Sequence, residues 1–435
     1  MVSARQVSYI PVPLVEVYLW GEQIGAVALD PGTGFYAFNY TSEFRRHALE
    51  PAPIHMPLAG GPYVFPQLPA MTWRRLPAML ADALPDDFGN ALIDAYMAER
   101  GFDRNQVTPL DRLAYMGHRA MGALEFRPAR GPRAAMATPI ELSELIETAR
   151  CAVHGRIDNS LEAGSSLKQI IAVGTSAGGA RAKAVIGYNR ETGEVLSGQF
   201  DVPPHFEHWL LKFDGMGIDR ELGTSQSYGR IEYAYSQMAR VAGIDMMPCE
   251  LLRENGRAHF MTQRFDRGPH NIRHHIQTLC AMDHIDYRLK GANSYSQLFV
   301  VMSRLQLPYS DFEQAFRRMT FNVMAKNCDD HSKNFSFRIR QRQQWELAPA
   351  YDVTFAHNPK GEWTNQHLMS VNGRFDDISA ADLLEVGTRF GVGSAPVLLD
   401  EVRAAIANWS RFADAADVPR EVVTDIGKQH RLLAA

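Results

Sequence analysis

The chain has 435 residues, 46% of them hydrophobic and 22% charged, with a formal net charge of -4. That length exceeds what a single hydrophobic core organises, and the composition excludes disordered and fibrous classes. A mildly acidic chain is not a broad, phosphate-driven nucleic-acid binder, and no run approaches the ~18 apolar residues that would span a bilayer.

In chain order, Val15 to Leu29 reads as strand–turn–strand around Gly21-Glu22-Gln23. Met1 to Trp20 lacks the pattern of a signal peptide. Trp73 to Arg100 turns helical, with Leu76, Met79, Leu80, Ala83 and Leu84 at spacings of three and four, resuming after Pro85 with Leu92, Ile93, Tyr96 and Met97. The Pro/Arg/Gly-rich stretch Arg127 to Arg133 marks a boundary. Glu141 to His154 is a helix candidate, and Arg156 to Gly179 is rich in Gly and Ser. Val185–Gly187 and His208–Phe213 read as strands, and Ile231–Ala242 as a helix. Beyond Phe265-Asp266-Arg267 helices dominate. The best spans Asp311 to Asn327, with Phe312, Ala315, Phe316, Met319 and Val323 on one face. Phe335, Phe337 and Ile339 alternate like a short strand, and Ala381–Phe412 and Glu421–Leu433 read as closing helices. Three units are expected: residues 1–130, 131–266 and 267–435.

The chemistry concentrates in a few places. Asp329 is followed five residues later by Asn334, the spacing of a phosphotransfer loop in which the Asp orients a hydroxyl and the Asn binds magnesium. The bland reading of such a pair is a turn. Asp352, just past the strand pair Phe335–Ile339 and Trp345–Leu347, sits where a kinase places its main magnesium ligand. Magnesium takes hard oxygen ligands, so one carboxylate and one amide suffice. An isolated Asp has a pKa of about 4, which makes Asp329 a positioner and late proton acceptor, not a strong base. Upstream, the small-residue loop Gly174 to Lys183 lets backbone N–H groups approach phosphates, although it matches no standard glycine fingerprint. Lys212 stands alone in the apolar strand Trp209–Phe213, and a buried lysine needs an anion. Phosphate contact braced by a helix carboxylate such as Glu232 is the kinase solution, and an edge strand facing water the alternative. His270, His274, His275 and His284 lack metal-ligand spacing and read as a solvated loop, and Met246-Met247 as core. Cys151, Cys249, Cys280 and Cys328 are scattered and suit a reducing cytoplasm, the expected location.

In this order the residues resemble one family, the HipA-type serine/threonine kinases of bacterial toxin–antitoxin systems. Ser176-x-x-Gly179-Ala180-x-x-Lys183 is similar to its phosphate-loop segment and Leu210-Leu211-Lys212 to its strand lysine. Arg264-Phe265-Asp266-Arg267 resembles the link between its lobes. Asp329-x-His331-x-Lys333-Asn334-Phe335-Ser336 and Pro349-x-Tyr351-Asp352 are the most specific matches. Leu84-Pro85-Asp86 and Gly117 to Ala123 resemble landmarks of its N-terminal domain.

The resemblance implies an α+β, two-lobed, protein-kinase-like fold with an N-terminal β-rich subdomain and a mainly helical C-terminal lobe. It implies ATP and Mg2+, with Asp329 as proton acceptor and Asn334 and Asp352 on the metal. Gly178, Gly179, Ala180, Arg181, Ala182 and Lys183 would cover the phosphates and Lys212 would contact them. Gln263, Arg264 and Phe265 would flank adenine, and His331, Ser332, Lys333 and Tyr351 would adjoin the nucleotide. Ser176 matches an autophosphorylated serine whose two negative charges would repel ATP. The implied partners are a HipB-type helix-turn-helix antitoxin, an aminoacyl-tRNA synthetase as substrate, and operator DNA only through the antitoxin. Two departures stand out. Asp330 follows Asp329 where the family often has a small residue, which leaves the pair unsettled, although the five-residue spacing to Asn334 favours Asp329. Gly373-Arg374-Phe375-Asp376-Asp377 is nearly without basic charge where some relatives touch DNA. The rival readings are a small-molecule kinase of the same fold and an inactive kinase-like binding module or co-repressor.

Overall fold

The computed structural model describes residues 10–98, 100–132, 183–214, 227–254 and 256–434, without the side chains of Asp87 and Phe88. The helix expected at 141–154, Cys151, and the loop with Ser176, Gly178, Gly179, Ala180, Arg181 and Ala182 lie outside the described residues.

Period-two alternation builds the first sheet. β1 (Leu14–Leu19) turns Val15, Val17 and Leu19 inward. The chain reverses at Gly21, whose φ of +83° suits glycine, into β2 (Glu22–Asp30) and then β3 (Phe35–Tyr40). β4 (Leu124–Arg127) pairs with the free edge of β1, giving the order β3-β2-β1-β4. The helix expected over Trp73–Arg100 is broken. Ala70–Trp73 and Ala78–Ala81 are single turns, and only α1 (Asp87–Ala98) is long. Pro69, Pro77 and Pro85 each lie just ahead of a piece, because proline removes an N–H and clashes with the preceding turn. Leu76, Met79, Leu80 and Leu84 are buried all the same. α2 (Pro109–Met116) starts from a capping box between Thr108 and Asp111.

The second sheet is antiparallel, in the order β6-β5-β7-β9-β8: β5 (Lys183–Tyr188), β6 (Val195–Ser197), β7 (Glu207–Lys212), β8 (Cys249–Glu254) and β9 (Arg257–Gln263). α3 (Tyr228–Val241) packs on β8 and β9. It can do so because Gly229 has no side chain; a Cβ there would strike the Ala258 carbonyl. One core joins the first sheet to β5 and β7, with Phe38, Phe126, Ile186 and Trp209 fully buried.

The second core gathers α3 and the C-terminal helices. Its centre is α5 (Tyr309–Met324), preceded by α4 (Tyr295–Arg304). Phe316 and Met319 of α5 have no exposed area, and burying each such side chain stabilises by roughly 1.5–3 kcal/mol. The helix stops at Met324, short of the expected Asn327, and Lys326 takes a φ of +56°. β10 (His275–Thr278), β11 (Ser336–Ile339) and β12 (Trp345–Leu347) form a small antiparallel sheet. The stretch 381–412 divides among α6 (Ala380–Arg389), α7 (Ala395–Ile406) and α8 (Trp409–Ala415), followed by α9 (Arg420–Gly427). The histidines expected in a solvated loop include two that pack. His275 is 1% exposed with Nε2 2.9 Å from the Pro51 carbonyl, and His284 stacks on His55. Among the described residues no helix is long and apolar enough to cross a membrane.

Candidate active site

Strand register sets up the site. Lys183 of β5 lies directly opposite Lys212 of β7, so both lysines leave the same face of the sheet. Lys212 bonds two carboxylates at once, Glu232 from the second turn of α3 and Asp352 from beyond β12. Burial alone would lower the Lys212 ammonium, but Asp352 and Glu232 outweigh it and hold it above its usual value. Burial would likewise raise Asp352, yet Lys212 and then Lys183 hold its carboxyl down, so the cluster stays ionised. Asp352 has a φ of +53°, a left-handed conformation that costs a non-glycine residue free energy.

The loop after α5 faces this cluster. It is tied down on both sides: the Cys328 N–H donates to the Ala356 carbonyl at 2.9 Å, and Ser332 Oγ to the Ile285 carbonyl at 2.8 Å. Asn334 Nδ2 donates to the Asp329 carbonyl at 2.7 Å, which leaves the amide oxygen as the end able to meet a cation. Tyr351 donates to the Lys333 carbonyl at 2.6 Å and stacks on Phe265, linking the loop to the interlobe segment. His331 Nε2 is 3.8 Å from Asp329 Oδ1.

The two adjacent aspartates differ sharply. Asp330 is 1% exposed and accepts three hydrogen bonds, from Tyr295 Oη (2.8 Å), His367 Nδ1 (2.9 Å) and the Leu368 N–H (2.8 Å). Burial would lower His367, but Asp330 and then Cys328 push it up to about 10, so an imidazolium is buried against a carboxylate. Asp329 instead keeps 42% of its side chain exposed and takes one indole N–H, Trp363 Nε1 at 2.9 Å. Burial within the cleft raises its carboxyl, opposed by His331 and the Trp363 bond and reinforced by Asp352 and Asp330. Of the pair, Asp329 is the one a substrate can reach.

The other expected residues are distributed unevenly. Gln263 ends β9 opposite Trp209, and its N–H donates to the Pro248 carbonyl. The Arg264 guanidinium is spent on Asp266, at 2.9 and 2.7 Å, and is 3% exposed, so only its backbone could line a ligand. Lys333 is held above its usual value by Asp82 and three further groups, against the effect of burial, and lies over the Tyr287 ring. Asp352 and Asn334 offer the hard oxygen set that suits magnesium, and Lys183 and Lys212 the charge that suits phosphates. The site also holds residues that the sequence reading missed. A Trp shortly after Asp352, the expected metal ligand, was a usable signal for Trp363. Nothing local marked the carboxylate Asp82, and Asp86 stood only in a motif without a role; both arrive from the N-terminal sheet domain.

Comparison with known proteins supports what this geometry suggests. Residues 15–127 match the family described as HipA N-terminal domain, and residues 175–428 match the HipA-like C-terminal domain. The chain belongs to the HipA family. Its fold is similar to that of HipA in the Shewanella oneidensis MR-1 complex of HipA, HipB and operator DNA, with a TM-score of 0.66 over 96% of both chains at 18% identity. It is also 28% identical over 145 residues to Y4mE of Sinorhizobium fredii, whose name proposes a kinase. That alignment covers 31% of this chain and 33% of Y4mE. The HipA fold thus extends over both halves of the molecule, and the Lys212 cluster and the Asp329 loop face each other within its C-terminal domain.

Proposed function

We propose that this HipA-family chain is an ATP- and magnesium-dependent kinase that phosphorylates a Ser or Thr hydroxyl of a protein, acting as the toxin of a toxin–antitoxin pair. The observation that carries the reading is Lys212, bonded at once to Glu232 and Asp352 and facing a loop that presents Asp329 and Asn334. A strand lysine braced by a helix glutamate beside a metal-binding aspartate is the phosphate-handling half of a kinase, and an Asp five residues before an Asn is the hydroxyl-handling half.

In the proposed reaction Lys212 meets the phosphates. The substrate oxygen attacks the γ-phosphorus, and the bond from that phosphorus to the ADP oxygen breaks. The hydroxyl proton passes late to Asp329, whose raised carboxyl suits it to accept one. Asn334 and Asp352 would hold magnesium, which neutralises charge on the phosphates. Asp330 takes no part, because its oxygens are committed to Tyr295, His367 and Leu368. Family membership supports a helix-turn-helix antitoxin of the HipB type as partner, an aminoacyl-tRNA synthetase as the phosphorylated protein, and operator DNA reached only through the antitoxin. Ser176 would be the self-silencing serine.

The test is intact-mass spectrometry of the full chain after incubation with Mg-ATP. A gain of one phosphate on Ser176 is expected. No gain despite ATP binding would favour a small-molecule kinase, and no ATP binding an inactive binding module.

A further inference from the structure

We propose that Asp86 of the N-terminal domain is a positioning residue for the nucleotide's phosphates, acting through Lys183. The inference rests on the ATP-binding reading and goes beyond it by making the N-terminal domain part of the active site. Asp86 Oδ2 lies 3.4 Å from Lys183 Nζ, and the two side chains are only 6% and 2% exposed. The other oxygen, Oδ1, accepts the Gly89 N–H at 2.8 Å, so the carboxylate also caps the first turn of α1. The segment behind it is rigid. Asn90 Nδ2 donates to the carbonyls of Pro85 (2.7 Å) and Asp86 (3.0 Å), and Asn90 Oδ1 accepts from Arg112 at 3.0 Å. One oxygen is thereby locked to the helix and the other aimed at the lysine.

Lys183 sits beside Lys212 on the same sheet face, and after Lys212 it is the charge that most lowers Asp352. Two ammonium groups therefore converge on one metal-binding carboxylate. Glu232 braces the first, and Asp86, from a different domain, braces the second. Without that anchor Lys183 would be drawn to Asp352, away from the phosphates, and would compete with the metal for that carboxylate. The same domain places a second carboxylate near the cleft four residues earlier. Asp82, fixed by the Thr278 N–H (2.7 Å) and Oγ1 (2.8 Å), is the largest opposing charge on Lys333 at the end of the catalytic loop. The N-terminal domain thus pairs with Lys183 and, through Asp82, supplies the largest opposing charge on Lys333.

A contact that only fastens the domains together would affect every ligand alike, and this difference decides the test. Asp86→Asn keeps a good helix cap and removes the charge. ATP and adenosine affinities of the full chain are measured by calorimetry, alongside melting curves, for the parent, Asp86→Asn, Asp86→Glu and the second capping variant Asp86→Ser. The expected result is ATP binding weakened about tenfold in the Asn and Ser variants, adenosine binding within about twofold of the parent, and partial recovery with Glu. Equal weakening of ATP and adenosine would overturn the proposal, as would unchanged or tighter ATP binding. A parent that binds adenosine but not ATP would overturn the kinase reading, and this inference with it.

Discussion

Two buried ion clusters, one in the segment that resembles the link between lobes and one around Lys212, are built to opposite rules. Around Asp266 every oxygen is committed: Arg264 donates twice, Arg267 Nη1 once at 2.7 Å, and the Gly122 N–H once at 2.7 Å. Burial would raise that carboxyl, but the two guanidinium groups hold it far below the carboxylate range. Around Lys212 the arrangement is open. Asp352 keeps 26% of its side chain exposed and holds a left-handed backbone, and nearby Asp329 is more exposed still. A saturated cluster stabilises an interface, whereas one with spare oxygens and stored backbone strain is ready for a ligand. Asp330 and Asp329 repeat the contrast between neighbouring residues.

Substitutions should separate these roles. Lys212→Met is expected to lower phosphotransfer by about 10²–10³-fold, read in a phosphorylation assay, with the fold intact. Asp266→Ala should do the reverse, costing about 3–5 kcal/mol in denaturant unfolding because it strands two buried guanidinium groups. Asp330→Asn should cost on the order of 3 kcal/mol and change the pH response. His367 in the folded chain titrates near 10 against an ordinary 6.5. A raised pKa stabilises fully below the unfolded value, and that stability is lost as pH rises through the folded one. Parent stability should therefore fall between pH 7 and 10, and the Asp330→Asn variant should lose most of that slope. Trp363→Phe should have the smallest effect, a fall of about threefold to tenfold in kcat with little change in KM for ATP. Since the indole bond lowers the Asp329 carboxyl, its loss should move the acid limb of the rate profile to higher pH.

Such contrasts mark how far the sequence could be read. As members of the candidate site, Asp329, Asn334, Lys212 and Asp352 were legible because the proposed chemistry depends on spacing within short segments and on a charge inside an apolar strand. Between Asp329 and Asp330 the sequence offered only the spacing to Asn334, which favoured Asp329; the physical difference turns on Tyr295 and His367, which are distant in sequence. Asp86 was visible as a motif without a role, because the lysine it holds is 97 residues away. Two local signals were missed. The dipeptide Asn255-Gly256 is a hairpin-turn signal in the sequence, and Gly256, at a φ of +80°, lies between the antiparallel strands β8 and β9. Pro77 interrupts a helical pattern whose apolar spacing reflects burial alone.

The most direct test compares ATP binding and phosphotransfer in the Asp329→Ala variant. The account predicts ATP affinity within about twofold of the parent, because Asp329 faces the hydroxyl and not the phosphates, together with a loss of transfer of about 10³-fold. Transfer at the parent's rate in Asp329→Ala, with ATP bound, would contradict it.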